Sequence, residues 1–432
     1  MLFYNWALTP PMGWNSWDCY GANVTEEDIK ANVDYMAANL KQYGWEYIVV
    51  DIRWYVSNQN YGDYNKINPV YIIDEWGRYL PALNRFPSAA DGAGFRPLAD
   101  YVHGKGLKFG IHIMRGIPVK AVNEKLPVKG TDGINADQIY SASGQCSWLW
   151  DNYSIVPDKK GAQEYYNSVF ELYASWGVDF IKTDDLSRPY HRGEIELIRR
   201  AIDRTGRPIV LSTSPGETPV GEGEHVKNHA NMWRMVDDFW DRWDHVIHEF
   251  NICRNWPLYT GQGHWPDADM IPFGKINLTG LQSGGARQTC FTRDEQYTVM
   301  TLFVILRSPL MFGGNLPDND IFTDSLLINT EVLYVNKNSK NNRELFNEDG
   351  VIAWTADDSE SDDKFLALFY CGTDNSGNKR IIPFDMTSLG FTEKVKVRNL
   401  WEKQNVGDFS GKDFSPELNL HGAGLYRLTP AL

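Results

Sequence analysis

Acidic residues recur in this chain at one kind of place, the end of a short apolar run. Asp51 follows Tyr47-Ile48-Val49-Val50, and Lys182, Asp184 and Asp185 follow Val178 to Ile181. Asp237 and Asp238 follow Met232 to Val236, while Asp267 and Asp269 sit in the run Pro266 to Met270. His112, Ser212 and Ser214 hold equivalent places on two further runs. If the runs are parallel strands of one sheet, these side chains converge on one mouth. Like charges gathered in a cleft cost energy, so a metal, a cation or a chemical use is expected there. Three chemistries compete. A divalent ion would take several of the oxygens. A Schiff base on Lys182 would support aldolase-type reactions. Two carboxylates flanking a glycosidic bond, one nucleophile and one acid/base, would hydrolyse a glycoside. Spacing alone leaves the three open, with glycoside hydrolysis first among them.

The elements that must position these groups alternate in type. Thr25 can cap a helix whose first residues, Glu26, Glu27 and Asp28, suit its positive end. Ile29, Val33, Met36 and Leu40 recur at helical spacing, and Gly44 stops the run. The pattern then repeats, with helices expected at 98–103, 161–176, 194–204, up to Phe250, and 294–306. Strands are expected at 47–50, 107–113, 178–181, 208–212, 232–236, 266–270 and 309–312, with an opening strand near Gly13 and Trp14. Eight strands in this order predict a (β/α)8 TIM barrel over residues 1–340, with its active site at the strands' C-terminal ends. Long aromatic-bearing connections at 57–94 and 118–159 belong to that face. From residue 341 the pattern changes to short strands and turn-rich segments such as Thr373-Asp374-Asn375-Ser376-Gly377. Residues 341–432 therefore predict a small antiparallel β-sandwich domain.

Composition narrows the partners. With 432 residues, a formal charge of −14 and no basic run, the chain is unsuited to nucleic acid. No stretch approaches the roughly 20 apolar residues of a membrane helix, and the opening residues lack the form of a signal peptide. Five cysteines, odd in number and in no C-x-x-C pair, suggest neither a disulfide framework nor a zinc site. A cytoplasmic location is the expectation, and assembly into a homo-oligomer is left open. The 16 Trp and 22 Tyr suit a sugar, whose apolar faces stack on rings.

Seven segments carry a resemblance. Thr9-Pro10-Pro11-Met12-Gly13-Trp14-Asn15-Ser16-Trp17 resembles the opening motif of glycoside hydrolase family 27, which holds α-galactosidases, α-N-acetylgalactosaminidases and β-L-arabinopyranosidases. Tyr47 to Asp51, Gly106 to Ile111, Val178 to Asp184, Trp233 to Asp238, Trp265 to Met270 and Arg307 to Met311 follow in the family's order. The resemblance implies a retaining exo-glycosidase acting on an oligosaccharide or glycoside without cofactor or metal. It makes Asp184 the nucleophile and Asp238 the acid/base, with Asp237 as the alternative for the latter. Trp17 becomes a pocket wall, Asp51 the acceptor for the axial O4, and Lys182 and Arg234 the holders of sugar hydroxyls. Asp267 and Asp269 are expected to support the mouth from behind.

Three departures stand out. Many α-galactosidases have a second Asp after the one matched by Asp51, and here Ile52 stands instead. An isoleucine cannot accept a bond from O6, and leaving that hydroxyl unpaired costs about 1–3 kcal/mol. β-L-Arabinopyranose has the ring stereochemistry of α-D-galactose but no C5 hydroxymethyl, so the expected preference is for arabinopyranosides. His112 replaces a usual Tyr, and Thr213-Ser214-Pro215 replaces Cys-Glu-Trp. Ser214 leaves room at C2 for an N-acetyl group, unless Glu217 takes over the O2 contact.

Overall fold

The computed structural model describes residues 3–59, 67–279, 285–373 and 378–431. Part of the 57–94 connection and residues 374–377 of the segment expected to be turn-rich lie outside them. Barrel strands form where expected: β1 (Met12–Asn15), β2 (Tyr47–Val50), β3 (Lys108–Met114), β4 (Phe180–Asp184), β5 (Val210–Thr213) and β6 (Met232–Arg234). The seventh position is split into β7 (Trp265–Asp267) and β8 (Met270–Ile271), and β9 (Leu310–Phe312) is the last. All neighbours are parallel, in the order β7-β6-β5-β4-β3-β2-β1-β9-β8. The two ends of that order, β7 and β8, are separated in the chain only by Ala268 and Asp269. One cornered segment therefore pairs with β6 on one side and β9 on the other and closes the ring. Asp269 makes the corner with φ +78°, a left-handed conformation that Asp tolerates better than most side chains.

Alternation along the strands sorts the side chains. Tyr47, Val49, Phe180, Val210, Met232, Trp265, Met270 and Met311 pack together in one buried cluster inside the ring. Their neighbours Ile48, Val50, Ile181, Leu211 and Trp233 join a second cluster shared with the surrounding helices. Two residues further along each strand, the inward positions become polar. Val49 is followed by Asp51, Phe180 by Lys182 and Asp184, Val210 by Ser212 and Ser214, and Met232 by Arg234. A period of two thus stacks an apolar plug beneath a charged mouth. Gly110 makes room for the plug, since a Cβ there would lie 3.0 Å from both Phe180 Cβ and Val49 Cγ2.

The helices alternate with the strands. In α1 (Glu26–Asn39), Thr25 and Asp28 form the reciprocal capping box that a residue of each type at this spacing allows. α2 (Arg96–Gly104), α3 (Ala162–Ser175), α4 (Arg192–Thr205), the short α5 (Gly223–Lys227), α6 (Trp243–Cys253) and α7 (Arg293–Leu306) continue the ring. Among the described residues no helix is long and apolar enough to cross a membrane.

Beyond the barrel, β10 (Ser339–Glu348), β11 (Val351–Asp358), β12 (Lys364–Tyr370), β13 (Val395–Asn399), β14 (Gln404–Phe409) and β15 (Ala423–Pro430) form an antiparallel sheet. Its order is β10-β11-β12-β15-β13-β14. Every apolar residue of Phe365-Leu366-Ala367-Leu368-Phe369 is buried because both faces are covered. Leu366 and Leu368 face a local core with Phe384, Met386 and Phe414. Phe365, Ala367 and Phe369 belong to the barrel's own cluster, and Phe369 meets Phe250 of α6 edge-on at 4.9 Å. The Trp401 indole donates to Thr301 Oγ1 of α7 (2.9 Å).

Candidate active site

At the C-terminal ends of β1 to β8 lies a cavity of about 360 Å³, within the range of small-molecule sites. Trp17, Asp51, Ile52, Lys182, Asp184, Asp238 and Asp269 line it, as do Asp18, Trp148, Arg188, Asp237 and Trp240. Lys182 donates to Asp51 Oδ2 (3.0 Å), which Asn15 Nδ2 also reaches (2.8 Å). The other Asp51 oxygen accepts from the backbone N–H of Ile52 (2.7 Å). That bond fixes the turn at which Ile52, 2% exposed, meets the cavity. Burial works against charge on Asp51, but Lys182 and His112 hold its carboxyl below the usual range. Burial equally disfavours the Lys182 ammonium, and Asp51, Asp184 and Asp269 more than reverse this. A lysine held above its ordinary value stays protonated, which disfavours Schiff-base chemistry at neutral pH.

Asp184 ends β4, and its Oδ2 lies 2.7 Å from His112 Nε2 on the adjacent strand. This close contact favours the ionised carboxylate. Against the cost of burial, His112 and then Lys182 lower Asp184 to about 2. It is an anion throughout the neutral range. Asp185, with φ +66°, also borders the cavity and pairs with Arg115 (2.7 Å).

Arg234 lies under the far wall. It donates to Asp238 Oδ1 (3.0 Å) and pairs with Asp269 Oδ1 (2.7 Å). The other Asp269 oxygen accepts from Phe239 N–H (2.8 Å), which anchors the segment after Asp238. Burial pushes Asp269 up to about 7, with Arg234 opposing and Asp238 and Asp267 adding to the rise. The adjacent carboxylate, Asp237, is held at the rim by both guanidinium nitrogens of Arg188 (2.7 and 2.8 Å).

The cavity lining takes in some of the expected residues and not others. His112, Ser214 and Arg234 are fully buried behind the cavity rather than lining it, at 0%, 1% and 1% exposure. His112 contacts Asp184, and Arg234 contacts Asp238, Asp269 and Ser214. Glu217 is not among the lining residues and pairs with His248 (2.6 Å). Asp269 faces the cavity, whereas Asp267 stays behind it. Asp18 was missed. It follows Trp17 rather than a strand, is 1% exposed, and its Oδ2 makes no hydrogen bond. Burial and then Asp269 push its carboxyl well above the usual range. Gly313 is the reason it fits, since a Cβ there would lie 1.9 Å from Asp18 Oδ2. Trp148 comes from the aromatic-bearing 118–159 connection expected on this face, whereas Trp240 had no local signal.

A parallel barrel with paired carboxylates in a cavity at its strand ends is the architecture of a glycoside hydrolase. The chain belongs to the α-galactosidase family, glycoside hydrolase family 27. The family description "Alpha galactosidase A" matches residues 9–122 and 157–338, and "Alpha galactosidase C-terminal beta sandwich domain" matches 348–428. A family 27 β-L-arabinopyranosidase from Geobacillus stearothermophilus is 49% identical with a TM-score of 0.96, over 100% of this chain and 99% of that one. The α-galactosidase of Cyamopsis tetragonoloba is 26% identical over 433 residues, covering 98% of this chain and 86% of its own length. The α-N-acetylgalactosaminidase of Gallus gallus is 27% identical over 356 residues, 77% of this chain and 71% of its own.

Proposed function

We propose that this enzyme is a retaining β-L-arabinopyranosidase that also accepts α-D-galactosides. Asp184 attacks the anomeric carbon while Asp238 protonates the departing oxygen. A glycosyl ester on Asp184 results. Asp238, now a carboxylate, takes a proton from water as that water displaces the ester with a second inversion. Asp51 and Lys182 bind ring hydroxyls. His112 keeps the nucleophile ionised, and Arg234 orients Asp238. Residues 1–340 form the catalytic unit and 341–432 its companion. The reading extends to a reducing, cytoplasmic setting, supported by five unpaired cysteines.

The observation that carries the choice of sugar is Ile52 in the cavity wall beside Asp51. Hydrocarbon there offers nothing to a C5 hydroxymethyl, and arabinopyranose has none to satisfy. The expected kcat/KM is higher for aryl β-L-arabinopyranosides than for aryl α-D-galactosides. Ile52→Asp is expected to move the ratio toward galactosides by roughly 10- to 200-fold. An unchanged ratio, with galactosides preferred by the wild type, would return the enzyme to the α-galactosidases. An aryl α-N-acetylgalactosaminide in the same assay tests the expectation that Ser214 leaves room at C2.

The carboxylates around the cavity already have cationic partners in Lys182 and Arg234, and His112 lies against Asp184. Catalysis therefore calls for no divalent ion. EDTA is expected to leave the initial rate unchanged, and borohydride to trap no adduct on Lys182. Chelator inhibition reversed by a divalent cation would contradict the two-carboxylate mechanism.

A further inference from the structure

Outside the cavity, Glu196 of α4 and His225 and His229 of the connection after β5 form a separate cluster. Each offers one ligand-type atom, and these atoms all lie within 4.8 Å of one another. The histidines are one helical turn apart, with ring centroids 4.1 Å apart. Their remaining nitrogens decide what they can do. His229 Nδ1 is 2.7 Å from the backbone oxygen of His225. A carbonyl can only accept, so Nδ1 carries the hydrogen, and Nε2 of the neutral ring is a bare lone pair. His225 Nδ1 is 2.7 Å from the Tyr190 hydroxyl, and its Nε2 faces Glu196 Oε1 at 3.3 Å. If His225 Nδ1 is likewise the donor, both rings present Nε2 lone pairs. Imidazoles oriented through the far nitrogen by a carbonyl or hydroxyl are how proteins present histidine to metals. Nearby cations are engaged elsewhere: Arg192 with Glu222, and Lys227 with Glu224. Arg200 reaches Glu196 only at 3.5 Å.

We infer that Glu196, His225 and His229 form a binding site for a divalent transition ion such as Zn2+, with water completing its shell. Two imidazoles and one carboxylate suit a borderline ion, whereas Mg2+ and Ca2+ favour all-oxygen sites. The ion is a brace. It ties the helix after β4 to the connection after β5, and Tyr190, which orients His225, lies two residues from Arg188 at the cavity rim.

Calorimetric titration of Zn2+ into the chelator-stripped full chain is expected to give one ion per chain. Saturation is expected to raise Tm by about 2–3 °C, and Mg2+ to do neither. His229→Ala and Glu196→Gln, both at partly exposed positions, are expected to weaken Zn2+ at least 10-fold while kcat on an aryl glycoside stays at the wild-type value. Equal Zn2+ affinity in the wild type and both variants overturns the site. So does Zn2+ that competes with the sugar, since that ion would sit on the cavity's carboxylates.

Discussion

Asp184→Ala is expected to fold and to turn over aryl glycosides on the order of 10⁴-fold or more slowly, about 5.5 kcal/mol in barrier height. The loss reflects the missing covalent step rather than a lost contact, so KM changes little in comparison. Because the wild-type carboxyl titrates near 2, the defect is expected to be equally deep across the neutral pH range. Azide is small enough to enter the space left by the carboxylate and attack in its place. Added azide should therefore restore turnover on activated substrates and give a glycosyl azide of inverted configuration. Removing one partner of a buried ion pair is destabilising, but Lys182 keeps Asp51 as its counter-ion. A melting curve beside the kinetics separates loss of chemistry from loss of fold. Near-normal turnover by a folded Asp184→Ala protein would remove Asp184 from the mechanism.

Asp238→Ala is expected to give a different signature. General acid–base assistance contributes about 10²- to 10⁴-fold, and the need for it grows with the basicity of the leaving group. The variant should hydrolyse dinitrophenyl glycosides far better than alkyl glycosides, and azide should yield a product of retained configuration. Asp237→Ala is the control. Its carboxylate is held by Arg188 at an exposed rim, with the Asp237 side chain 48% accessible, and surface ion pairs contribute little. It should retain nearly normal rates on every leaving group. The reverse pattern, a dead Asp237→Ala beside an active Asp238→Ala, would exchange the two assignments.

What was legible in the sequence follows from where local signals are strong. Tyr47 to Val50 forms a strand at the expected residues because a β-branched run is flanked by Gly44 and a charged end. The α1 start is marked by Thr25 and the acids after it. β10 and β14 escaped notice for a physical reason. They are the outer strands of their sheet, their residues are mostly polar on both faces, and no alternation betrays them. The site divides in the same way. Residues at strand ends, such as Asp51, Lys182 and Asp184, could be read from the period of two. Asp18, Arg188, Trp148 and Trp240 come from turns and long connections, where only the folded chain says which way a side chain points. The same limit hid the depth of His112, Ser214 and Arg234.

The corner at Ala268-Asp269 also sets an order of events. A chain emerging N-terminus first can bring β2, β3 and β4 together early, and with them Asp51, His112 and Asp184. The carboxylate that clamps Arg234 and tethers Phe239 belongs to Asp269, whose segment is held on its far side by β9, some forty residues later. A nascent or truncated barrel that stops short of Leu310 would hold a nucleophile with no oriented proton donor. Chains cut before Leu310 are therefore expected to be silent rather than partly active.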